Sequence, residues 1–112
     1  MPVFKQKETA PEKISTHFER RIIHLNNLMV VECDFTNGPA PQPDPPHSHP
    51  HEQITYVAEG EMFLFIGEEK YYLVKGDAFS VPSGLPHSIQ TISQHVRLID
   101  SFSPVREDFL KK

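Results

Sequence analysis

Short apolar runs, each closed by a turn signal, recur from about residue 20 to residue 103. No run keeps a helical period for long. Such a rhythm admits an antiparallel sandwich or barrel and excludes a helical bundle. Eleven prolines and five glycines, spread without low complexity, supply the punctuation.

Residues 20–25 and 28–35 are rich in Ile, Leu, Val and Met and are split at Asn26-Asn27, so they read as two strands across a tight turn. On the second, Met29, Val31, Cys33 and Phe35 share one face. Residues 38–46 hold five prolines and can form neither helix nor central strand, which makes them a stiff connector. Residues 52–58 and 62–66, separated by Glu59-Gly60-Glu61, read as a second hairpin. Further strands are expected at 70–74, 78–81, 88–92 and 96–102. Pro104 can start a short helix over 105–112. Residues 1–13, polar and broken by prolines, read as a loose or lightly pinned arm.

A chain of 112 residues suits one domain, 1–112, with the barrel at about 20–103. The net charge is −4, and no basic stripe extends beyond Arg20-Arg21 and Lys111-Lys112, so nucleic acid is a poor partner. No apolar run is long enough to span a bilayer, and residues 1–13 lack the apolar core of a secretion signal. The expected location is therefore the cytoplasm. Cys33, the only cysteine, has no internal disulfide partner and reads as a small buried hydrophobe.

Chemistry concentrates in two places. His47, His49 and His51 fall within seven residues, and strand alternation lets His47 and His49 aim at one point, as a metal grip needs; a solvated surface cluster would have the same spacing. In residues 96–102, Val96, Leu98, Asp100 and Phe102 share a face, so Asp100 is an inward carboxylate unless the strand has the opposite phase. Arg106 follows, with a planar fork suited to a carboxylate ligand or to an ion pair with Glu107 or Asp108. If Met62, Leu64 and Ile66 point inward, Phe63 and Phe65 point outward. A second subunit covering them gives a homodimer; N-terminal strands covering them do not.

The spacing His47-X-His49, three residues, Gln53, six residues, Gly60, followed by Gly76, five residues, Pro82, one, Gly84, two, His87, resembles the two signature motifs of the cupin superfamily. The resemblance implies an all-β double-stranded β-helix, a jelly-roll barrel, in which His47, His49, Gln53 and His87 bind one divalent transition metal (Zn, Ni, Fe, Mn or Co). Gln53 stands where many cupins have Glu, and Thr91 where the second motif often ends in Asn. A neutral amide leaves the metal's charge uncompensated and favours an acidic substrate. His51 competes with Gln53 as a ligand, but Pro50 disturbs the pleat and the spacing to Gly60 selects Gln53.

Together with residues 100–110, Asp-Ser-Phe-Ser-Pro-Val-Arg-Glu-Asp-Phe-Leu, the run 47–53 is similar to small single-domain cupins of the KdgF type. That resemblance implies conversion of 4,5-unsaturated monouronates from pectin or alginate to a linear keto form. It also implies that Asp100, Phe102 and Arg106 form the catalytic pocket. Two other readings fit the same residues: a dioxygenase or lyase acting on a small organic acid, and a non-catalytic module that binds a sugar or other small ligand.

Overall fold

Met29, Val31 and Cys33 are buried while the residues between them are only half-buried, so β3 (Met29–Phe35) turns one face inward, as its alternation requires. The computed structural model describes residues 3–110. Eight further strands join β3: β1 (Glu12–Ser15), β2 (Phe18–His24), β4 (Glu52–Glu59), β5 (Glu61–Ile66), β6 (Glu69–Val74), β7 (Ala78–Val81), β8 (His87–Thr91) and β9 (Val96–Ser103). A helix α1 (Glu107–Leu110) follows, shorter than the helix expected over 105–112, of which 111 and 112 lie outside the described residues.

Two antiparallel sheets face each other, one ordered β1-β2-β3-β9-β4-β7 and one ordered β6-β5-β8. Their inner faces supply the core, including Met29, Val31, Val57, Met62, Leu64, Val96, Leu98 and Phe102. The expected all-β cupin barrel is therefore the fold. The hairpin expected at Asn26-Asn27 is present, with β2 and β3 paired from His24 and Met29 to Phe18 and Phe35.

One expectation is corrected. Residues 52–58 and 62–66 form strands but no hairpin, because β4 pairs with β7 and β9 whereas β5 pairs with β6 and β8. Gly60, at φ 88°, carries the chain from one sheet to the other. The N-terminal arm, described from residue 3 on, is lightly pinned: it holds a 3₁₀ turn at Gln6–Glu8, and β1 begins within it and pairs with β2. Glu12 then reaches Arg20 at 3.3 Å.

The proline-rich connector runs along the free edge of β8. Its Gly38, Ala40, Asp44 and His47 amides donate to carbonyls of Gln94, Thr91, Ile89 and His87. Prolines at 39, 41, 43 and 45 alternate with these donors, so the missing N–H groups fall on positions that β8 does not need. The same alternation leaves the outer edge without donors for another strand.

Candidate metal centre and its cavity

Backbone pairing brings the first two histidines together. His47 and His87 exchange reciprocal N–H to carbonyl bonds of 3.0 and 2.9 Å, which sets their rings side by side with centroids 4.3 Å apart. His49 joins them, and one ring nitrogen from each of the three lies within 4.8 Å of the others. His49 and His87 are buried, whereas His47 is exposed at the mouth. Gln53, buried on β4, places Oε1 3.1 Å from His49 Nε2. The four residues expected to form one site are thus adjacent. His51 is not in the three-histidine cluster; its carbonyl oxygen instead lies 3.0 Å from His49 Nδ1.

The donor chemistry fits a cation. His87 Nδ1 donates to the Leu85 carbonyl at 2.9 Å, leaving Nε2 as a bare acceptor, and that atom is buried with no hydrogen-bond partner. His49 faces a carbonyl oxygen from each ring nitrogen, yet a neutral imidazole has one N–H to give. In that neutral form one ring nitrogen keeps a free lone pair beside a carbonyl oxygen, a pair of donors that a cation would accept. Burial, and then the neighbouring histidines, hold His47 below the ordinary imidazole pKa; burial does the same for His87. Both rings are thereby kept neutral and able to ligate.

Asp100 has the inward phase. It sits opposite Thr55 of β4 in the strand register, and Thr55 Oγ1 donates to its Oδ1 at 2.6 Å. Cys33 Sγ approaches Oδ2 at 3.5 Å. Burial pushes the Asp100 pKa above the usual carboxylate range, against the opposing pull of the Thr55 and Cys33 hydrogen bonds, Arg106 and His49. Burial, reinforced by Asp100, raises the Cys33 thiol too, so Cys33 is an inert core residue as expected.

His47, Gln53, His87, Asp100, Phe102 and Arg106 line a single cavity of about 780 Å³. Phe102 is buried against His49, ring centroids 5.7 Å apart. Arg106 also makes the expected local ion pair, at 2.8 and 3.4 Å to Asp108, while its guanidinium lies over Phe109 and Phe102. Arg20 had no expected role, yet it too lines the cavity, its guanidinium 4.3 Å from the Phe109 centroid. The signal was present: Phe18, Arg20 and Ile22 alternate, so an arginine shares the apolar face of β2. Thr55, fully buried between Gln53 and Asp100, was also missed, although it follows Gln53 by two residues on the same face.

A metal-capable histidine cluster at the mouth of a two-sheet barrel defines a class, and the chain belongs to the cupin family, whose cupin domain matches residues 38–102. Within that family it is 37% identical over 109 residues to the pectin degradation protein KdgF of Dickeya dadantii, covering 96% of each. The structure of KdgF from Halomonas sp. superposes with a TM-score of 0.85 at 32% identity, covering 95% of this chain and 96% of that one. An RmlC-like cupin from Shewanella frigidimarina gives 0.87 at 32% identity, with 97% and 96% covered.

Proposed function

We propose that the protein is a pectin-degradation enzyme of the KdgF kind, converting 4,5-unsaturated monouronates from pectin or alginate to the linear keto form. The observation that carries this reading is one cavity lined by His47 and His87 of the three-histidine cluster, Gln53, a partly buried carboxylate and two arginines. Near-complete mutual coverage with KdgF supports it. The whole chain acts as one domain in this reading, and two copies form a homodimer.

His47, His49, Gln53 and His87 would hold one divalent transition metal, which supplies Lewis-acid stabilisation of negative charge developing on the sugar. All four donors are neutral, so an acidic sugar is favoured. Arg106, which shares the Phe109 ring and the cavity lining with Arg20, receives the substrate carboxylate. Asp100 takes the proton from the anomeric hydroxyl, and its raised pKa suits it to hold that proton. As the aldehyde forms, the bond from the anomeric carbon to the ring oxygen breaks. Its electron pair leaves on that oxygen as an enolate. Carbon 4 then takes a proton from Asp100, which leaves a ketone at carbon 5. Phe102 walls the pocket and limits water. Atoms and electrons balance without an oxidant.

Proton NMR of a mixture of protein and unsaturated uronate tests the reaction. The vinylic proton at carbon 4 should disappear as the keto form appears, with no oxygen consumed. Oxygen uptake during turnover would instead favour a dioxygenase, and an unchanged spectrum with bound sugar would favour a binding module.

A further inference from the structure

We infer that Thr55 is a positioning residue that orients the Gln53 side chain with its oxygen, and not its NH2 group, toward the three-histidine cluster. The inference rests on the metal reading of that cluster and not on the identity of the substrate.

With Asp100 as a carboxylate, the one hydrogen of Thr55 Oγ1 is used in its 2.6 Å bond to Asp100 Oδ1. Toward Gln53 the hydroxyl can therefore only accept, so the amide group 2.8 Å away must be the NH2 end. The amide is planar, so its oxygen then faces the other way, 3.1 Å from His49 Nε2. A reversed amide would turn two N–H donors toward a cation. Thr55 is fully buried, so no solvent molecule is needed to complete its bonding, and the strand register holds it opposite Asp100. Gln53 and Thr55 are two apart on β4 and share its inner face. The direction of the whole chain of bonds thus starts at the carboxylate and ends at the metal-facing oxygen. A glutamate at the Gln53 position would not need this device, since both ends of its side chain are oxygens.

Co2+ titration tests the idea, followed by calorimetry and by the d–d absorption of the bound ion, neither of which requires turnover. Thr55→Val keeps the shape and removes the hydroxyl; it should weaken Co2+ binding about 10- to 100-fold, the usual range for partners that orient a metal ligand. Thr55→Ser should restore binding to within a few-fold of the parent and return the parent spectrum. In a Gln53→Glu background, Thr55→Val should cost little, because a carboxylate has no wrong end. Thr55→Ala carries the same comparison if Thr55→Val does not fold. Equal losses in both backgrounds would mean that Thr55 only packs the core and would overturn the inference, as would parent-like binding by Thr55→Val or no Co2+ binding by the parent. An inactive protein that still shows this pattern would count against uronate chemistry alone.

Discussion

Asp100 is the residue on which local physics and chemistry meet most directly. A carboxylate surrounded by Cys33, Thr55 and the barrel's apolar face keeps its proton more tightly than the same group in the unfolded chain. Ionising it therefore costs folding free energy from about pH 3.9 upward, until its raised native pKa is passed. Asp100→Asn removes that cost while keeping an oxygen for Thr55. The difference in stability, variant minus parent, should grow as pH rises through this window and then level off. Urea midpoints measured across pH check it; a flat difference contradicts the assignment. The inward phase of Asp100 was legible from alternation alone. Alternation also turns Arg20 and Thr55 inward, but their roles were not legible, because each owes its role to a partner far along the chain, Phe109 for one and Asp100 for the other.

At the scale of elements, the crossing at Gly60 determines how β4 and β5 are used. A Cβ there would stand 2.3 Å from the His95 carbonyl oxygen and 2.7 Å from Ser93 Oγ, at a φ that side chains rarely adopt. Gly60→Ala should destabilise the fold by about 3 kcal/mol or more, combining backbone strain with the clash. Its denaturant midpoint should fall with an unchanged slope. The same crossing explains why a hairpin was expected where none exists. Two apolar runs around a Gly-centred turn look identical whether the strands pair or part, since the choice lies with β8 and β9, which begin only at His87 and Val96. Where both partners were local, at β2 and β3, the reading was right.

For the whole molecule, the sheets enclose a cavity that gathers residues from 15 to 109, wider than the 38–102 match to the cupin domain. The histidine spacing made the metal end legible, and strand alternation made Asp100 so; the arginine end depends on how the termini fold back across the barrel. Phe63 and Phe65 are half-buried, with the Lys70 ammonium 4.0 Å above one ring and 5.7 Å from the other, so the chain covers part of this patch itself. Ile54 and Tyr56, on the outer face of the other sheet, remain 60% and 48% exposed and offer a second copy an apolar area to cover. Light scattering at micromolar concentration should return twice the 12.8 kDa chain mass; the single mass would rule out the homodimer.

Uronate ring opening is the central claim, and the initial rate of loss of the conjugated absorbance of an unsaturated monouronate tests it most directly. Parent and Asp100→Ala, loaded to the same metal content, are compared with the spontaneous reaction. The parent rate should lie well above the spontaneous one, and the Asp100→Ala rate should fall about a hundredfold or more toward it, on the scale of losing a general acid–base group. A parent rate equal to the spontaneous one, or an Asp100→Ala variant as fast as the parent, would contradict it.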